Sequence, residues 1–261
     1  MLLEGKNAVV YGAGGAVGAA VARAFAAEGA RVSLTGRSLE PLEAVGAEIR
    51  GAGGRADVAL VDAFDEGAVD AHLRRLVDDS GQLDISFNAV GLGYVIGQSL
   101  TRATSSDFVK SIEMAMRTHF VTAIAAGRQM AQTGSGTILT IVAASSRVTM
   151  PNQGTLGIVG AATEALCRQL AVDLGAHGVR VICMCSAGSP DAPGVDYAMN
   201  VSAEAAGMSR DAFEAEHASR SALKRLPRLA EVGAAAALMA SDRASAVTAT
   251  VANVTCGQIF T

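Results

Sequence analysis

Ten residues near the N-terminus, Val9-Val10-Tyr11-Gly12-Ala13-Gly14-Gly15-Ala16-Val17-Gly18, have the types and spacing to hold a pyrophosphate. Gly12, Gly14, Gly15 and Gly18 permit unusual backbone angles and let the main chain approach an anion. Val17 lies among the N–H groups that open the following helix and face that anion. A short apolar run, Ala8 to Val10, precedes the glycines, and Ala19 to Phe25 repeats at helical spacing after them. Strand, glycine turn, helix is the context that a dinucleotide site needs. A turn that merely packs a strand on a helix would also use glycine. What favours the nucleotide reading is Arg31-Val32-Ser33-Leu34-Thr35-Gly36-Arg37, a second strand ending in a cation, on schedule for a βαβ unit.

The elements that position these residues follow in regular alternation. Leu39 to Arg50 reads as a helix ended by Gly51-Ala52-Gly53-Gly54. Ala56 to Val61 is a third strand, delivering Asp62 and Ala63, and Glu66 to Asp79 is an amphipathic helix with Val69, Leu73, Leu76 and Val77 on one face. Leu83 to Phe87 is a fourth strand, delivering Asn88-Ala89-Val90-Gly91. Beyond a loop through Tyr94 and Leu100, the pattern predicts a long helix over about 106–132 and a strand over 137–142. A second long helix over 155–176 and a strand over 179–185 come next. Residues 188–227 read as the least regular segment, a loop region suited to covering a substrate, before a helix over 229–239 and a seventh strand over 250–254. Short connections between alternating strands and helices predict one α/β domain over 1–261. It is a Rossmann-type, doubly wound, seven-stranded parallel sheet with helices on both faces. Ligands of such sheets sit beyond the carboxyl ends of the strands, where the glycine turn, Arg37, Asp62, Asn88 and the loops after Val142 and Cys185 all fall.

Composition narrows the function classes. Half of the 261 residues are apolar, 18% are charged, the net charge is −4 and there is no Trp. This gives no basic field for nucleic acid. The start of the chain lacks a signal-peptide pattern and no apolar run reaches membrane-spanning length, so the expected location is the cytoplasm, with no membrane partner. Cys167, Cys183, Cys185 and Cys256 form no CxxC pair and read as reduced, mostly buried thiols. Four scattered His without HExxH spacing give no metal site.

In this order and spacing the landmarks resemble the short-chain dehydrogenase/reductase family nearly end to end. The glycine turn corresponds to TGxxxGxG, with Tyr11 in place of the Thr and Ala16 in place of the middle glycine. Asp62 stands where the family places an aspartate at the adenine, and Asn88-Ala89-Val90-Gly91 matches its NAxG turn. Ala161 to Leu166, Gly178 to Val181 and Ala240 to Thr248 match its long helix, sixth strand and SD-x-AS-x-x-TG signature. The resemblance implies a nicotinamide cofactor bound by Gly12, Gly14, Gly15, Val17, Gly18, Arg37, Asp62, Ala63, Asn88, Ala89 and Gly91. Gly36-Arg37 occupies the place where an acidic residue often bonds the ribose of NAD. A guanidinium there suits a 2′-phosphate, favouring NADP(H) over NAD(H).

The same resemblance implies a tyrosine general acid/base, a lysine four residues later, a serine thirteen residues earlier and an asparagine on the preceding helix. A phenol near its unperturbed pKa of about 10 is a poor base at neutral pH without a nearby cation. Anchored on Pro151 and Ala161-Ala162, the tyrosine position is Leu156, the lysine position Gly160 and the serine position Ala143. The asparagine position, placed through Phe120, is Ala115. None of the four can pass a proton. No tyrosine lies between Tyr94 and Tyr197 and no lysine between Lys110 and Lys224, so no shift of register supplies the pair. Tyr94, His119, Ser145, Ser146 and Tyr197 are the polar side chains near enough in sequence to substitute, and none has a lysine placed to lower its pKa. No catalytic residue is assigned.

Three functions follow. The first is an NADP(H)-binding oxidoreductase without the usual tetrad, acting on a small activated carbonyl or enone or by shape-driven non-redox chemistry. The second is a catalytically inactive subunit or regulator. The resemblance implies a homo-tetramer or dimer through the two long Ala-rich helices, and a hetero-oligomer with an active paralogue would use the same helices. The third is a binder of an apolar small molecule, since Ala115, Ala143, Leu156 and Gly160 make the cleft larger and greasier.

Overall fold

A computed structural model describes residues 1–91 and 93–259. Seven parallel strands form one sheet in the order β3-β2-β1-β4-β5-β6-β7. They are β1 (Asn7–Tyr11), β2 (Arg31–Gly36), β3 (Arg55–Leu60), β4 (Ile85–Asn88), β5 (Gly136–Ala143), β6 (Val179–Ser186) and β7 (Thr250–Val254). The chain works outward from β1 to β3, then crosses back so that β4 pairs with the other side of β1. Val9 accordingly stands between Ser33 of β2 and Ser86 of β4. That reversal creates a crevice between the ends of β1 and β4.

Alternation along each strand divides the core into two layers. In β6, Val181, Cys183 and Cys185 face one layer, while Ile182 and Met184 face the other. The first layer is closed by α3 (Glu66–Ser80), α4 (Ser105–Thr133) and α5 (Leu156–Gly175), through Leu73, Met130 and Leu170 among others. The second is closed by α1 (Ala16–Ala27), α2 (Leu39–Gly51) and the helix over Leu229–Ala240, through Phe25, Leu42 and Val232. Phe25 meets Phe87 of β4 edge to face, with ring centroids 6.3 Å apart. Such a contact adds about 0.5–1.5 kcal/mol beyond area burial. The cysteines are unpaired; Cys167, Cys183 and Cys185 are buried, and Cys256 is half-exposed.

One expectation is corrected. The segment over 188–227 contains two regular helices, α6 (Pro193–Ala205) and α7 (Arg210–Ser219), so the final helix, Leu229–Ala240, is α8. Proline at the first position of α6 pre-sets its backbone where a missing N–H costs nothing. The Ser209 side chain caps α7 by accepting from Ala212 N at 3.2 Å. Proline and serine serve in loops as readily as at helix starts, and here they start helices. Among the described residues, no helix is long and apolar enough to cross a membrane.

Candidate functional site

The glycine turn is shaped by two close approaches. Gly12 has φ +74°, and a Cβ there would lie 2.7 Å from the carbonyl oxygen of Ala89. Any other residue would strain the backbone and push β1 away from the turn after β4. Gly18 rests so closely on the Gly12 carbonyl that its own Cβ could not be accommodated. This brings the first turn of α1 down onto the strand end. Ala16 takes the first position of α1, where an ordinary helical backbone accepts its methyl group. Gly15 precedes it as a cap without a side chain, and the first turn has no acidic residue. The N–H groups of this end therefore stay available to an anion.

Around the turn, a cleft of about 200 Å³ opens beyond the ends of β1, β2 and β3. Of the residues singled out in the sequence, Gly12, Gly14, Gly15, Arg37, Asp62, Ala63 and Gly91 line it. Ser38, Pro41, Leu42 and Phe64 also line it and were not anticipated. Their signal was position alone, immediately after the second and third strands. Asp62 shapes its own loop: Phe64 N donates to its Oδ1 at 3.1 Å and Asp65 N to its carbonyl at 3.0 Å. Arg37 is exposed at the mouth and has no hydrogen-bond or ion-pair partner among the described residues.

Val17, Gly18, Asn88 and Ala89 act behind this surface. Asn88 is buried and its amide is spent on the fold: Nδ2 donates to Thr122 Oγ1 at 2.9 Å and Thr118 O at 3.2 Å, while Oδ1 accepts from Val90 N at 2.9 Å. It ties the turn after β4 to α4. Tyr11 points into the core with its hydroxyl buried and unpartnered. Burial, with the Asp70 carboxylate nearby, raises its phenol pKa.

Beyond β5, the turn 144–146 connects Ala143 to the loop that leads into α5. Ala143, the last residue of β5, stands beside Ser186 of β6. Leu156 opens α5 and Gly160 follows one turn later, while Ala115 is fully buried in α4. The turn is pressed against α5: a Cβ on Gly160 would come 2.8 Å from Ser146 Cβ. Ser146 Oγ donates to Glu164 Oε1 at 2.6 Å, and Arg147 grips the same carboxylate through Nη2 to Oε2 at 2.9 Å and Nε at 3.2 and 3.3 Å. Glu164 is nearly inaccessible, 7% exposed at its side chain. Cys185 Sγ lies 3.9 Å from Ser146 Oγ, and burial pushes its thiol up to about 11. Sequence reading singled out Ser146 but missed Glu164 and Cys185, which lie 18 and 39 residues from it.

The remaining candidates are scattered. Ser145 Oγ accepts from Gln153 Nε2 at 3.0 Å. Tyr94 is half-buried, its phenol pushed up to about 12 by burial. His119 is buried in α4 and burial pushes it down to about 4, so it is a neutral imidazole. Tyr197 projects from α6 into solvent.

The sheet order, the uncapped helix over a glycine turn and the cleft at the reversal point define a Rossmann-type α/β protein. A family model described as enoyl-(acyl carrier protein) reductase matches residues 12–258. The chain belongs to the short-chain dehydrogenase/reductase family and is an oxidoreductase-family protein. The short-chain reductase protein NovJ of Streptomyces niveus is 30% identical over 253 residues, covering 96% of this chain and 93% of the relative. Among solved structures, NAD+-bound xylitol dehydrogenase matches with a TM-score of 0.91 at 23% identity, over 98% of this chain and 100% of that one. Actinorhodin polyketide ketoreductase with NADPH matches with a TM-score of 0.87 at 22% identity, over 97% of this chain and 97% of that one. The fold thus occurs with either cofactor, and the likeness does not choose between them.

Proposed function

We propose that the chain binds NADP(H) in preference to NAD(H) and acts without the tyrosine–lysine proton chemistry implied by its family. The observation that carries this reading is Arg37, exposed at the mouth of the cleft with no carboxylate partner among the described residues. With Ser38 beside it, it would hold a 2′-phosphate by charge-assisted bonds. The uncapped start of α1 would receive the pyrophosphate, and Asp62 would face the adenosine. When bound, the cofactor supplies a hydride. The chain's own part is to orient the acceptor against apolar residues, Ala143 and Leu156 among them, with no side-chain acid at those positions. Such a surface favours a small, already activated carbonyl or enone.

Titration of NADPH and NADH into the pure protein tests this. NADPH is expected to bind tighter, and Arg37→Ala to weaken NADPH by about 10–100-fold, as for a lost charge-assisted bond, with NADH unchanged. Equal affinity for the two cofactors, or an indifferent Arg37→Ala, overturns the preference. A panel of activated carbonyls and enones then reads turnover.

A second reading, a non-catalytic subunit or regulator, is favoured by the apolar residues Ala143 and Leu156 and by the filled space at Gly160. Val109 and Phe120 of α4 and Val172 of α5 are exposed apolar residues that support self-association through these helices, as a dimer or tetramer or with an active paralogue. Cofactor binding with no turnover across the panel selects it. An apolar-ligand protein is selected by the absence of nucleotide binding.

A further inference from the structure

The two ends of the crevice differ. A ligand that straddles the reversal between β1 and β4 lays one half over the ends of β1–β3 and the other over β4–β6. Over β1–β3 stand the uncapped start of α1, the Arg37 guanidinium, the Ser38 hydroxyl and Asp62. The cleft there holds about 200 Å³. This is less than the roughly 300–1,000 Å³ of sites that enclose a whole drug-sized ligand. It has the size for part of a dinucleotide.

Over β4–β6 three polar side chains are already committed. The Asn88 amide is bonded to α4, Ser145 to Gln153 and Ser146 to Glu164. Ser186 Oγ, on the last residue of β6, has no hydrogen-bond partner among the described residues but is buried out of a ligand's reach. Ala143, Leu156, Gly160, Ala187 and Gly188 offer no side-chain polar atom. In front, the loop after β4 is laced to the residues that lead into α5. Thr155 N donates to Val95 O at 2.9 Å, Val95 N to Thr155 Oγ1 at 3.1 Å and Gly97 N to Asn152 O at 2.8 Å. Gln98 and Gln153 add a parallel bridge. A ribose or a carboxamide placed at this end gives up water and gains few partners.

On the reading of this cleft as a 2′-phosphate nucleotide site, proposed above, we infer that its affinity resides in the adenosine half. The chain takes adenine nucleotides that carry a 2′-phosphate, with little preference for those that also carry nicotinamide. A nicotinamide end so loosely held is compatible with hydride delivery to an activated acceptor, and adenine nucleotides lacking it would compete for the same cleft.

Calorimetric titration of the full chain with NADPH, with 2′-phospho-ADP-ribose and with reduced nicotinamide mononucleotide tests the assignment. The first two are expected to bind within about fivefold of each other, less than the tenfold that 1.4 kcal/mol represents. The mononucleotide is expected not to bind at millimolar concentration, and Arg37→Ala to weaken the first two by the same factor. NADPH binding more than fivefold tighter than 2′-phospho-ADP-ribose, or any binding of the mononucleotide, overturns the inference and leaves the NADP(H) reading intact. An Arg37→Ala effect on NADPH alone does the same. If neither NADPH nor 2′-phospho-ADP-ribose binds, both readings fall.

Discussion

Gly160→Lys, which installs the residue that the family resemblance places there, is expected to lower the thermal midpoint by about 2–12 °C, for a loss of roughly 1–3 kcal/mol. Glycine inside a helix is ordinarily the weaker choice, by about 1 kcal/mol against alanine. Filling the position should therefore stabilise α5 unless space forbids it. Space does forbid it, because a Cβ at Gly160 would stand 2.8 Å from Ser146 Cβ. Ser146 cannot simply turn aside, since its hydroxyl holds Glu164 at 2.6 Å and Arg147 holds the same carboxylate. The clash is with one side chain, so it should be visible as coupling. In scanning calorimetry, Gly160→Lys combined with Ser146→Gly should cost less than the sum of the two single changes, by about 1 kcal/mol or more. Additive costs, or a Gly160→Lys protein as stable as the parent, would mean that the turn 144–146 does not pack on α5 in this way.

Acidification from pH 7 to pH 5 is expected to remove about 2 kcal/mol of stability through His119 alone. Burial pushes the folded-state His119 down to about 4. In the unfolded chain it protonates near the ordinary value of about 6.5. Between those two values the unfolded state binds more protons than the folded one, so stability rises with pH. The contribution is complete above about pH 6.5 and shrinks as pH falls towards 4. His72 and His217 add in the same direction. Burial lowers both, Arg75 assisting at His72, while at His217 the hydrogen bond to the Ala187 carbonyl partly opposes burial. Paired carboxylates act lower: Glu231, held at about 2 chiefly by Arg225, is untouched across this interval. Urea midpoints at pH 7 and pH 5 for the parent and for His119→Gln provide the check. A parent curve that is flat over this interval, or a substitution that leaves its slope intact, would count against the buried neutral imidazole.

Much of the architecture was legible because each element obeys a local rule. The strand over 250–254 and the helices starting at Leu39 and Glu66 follow from β-branched runs and apolar periodicity, which depend on neighbours within one or two turns. The helices α6 and α7 were not legible. Their proline and serine serve equally well in loops and at helix starts. At the site, Gly12, Arg37 and Asp62 were found because a strand end followed by glycine, cation or carboxylate has a fixed place in such a sheet. Asn88 was identified by the same rule, yet its amide turns to Thr118 and Thr122, thirty and thirty-four residues away.

The sequence by itself determined the order of the strands and of every helix but α6 and α7, the glycine turn at the start of a helix, the family, and that the side chains at Ala115, Ala143, Leu156 and Gly160 cannot pass a proton. Tertiary structure decided which groups remain available. It showed Gly160 to be a place filled by Ser146 rather than a vacancy, Glu164 to be clamped by Arg147, and the loop after β4 to be laced across the entry to α5. It also left Arg37 at an open cleft without a partner among the described residues. The reason is physical: a residue's type fixes what bonds it can make, but the bonds it does make depend on neighbours that only folding brings within 3 Å.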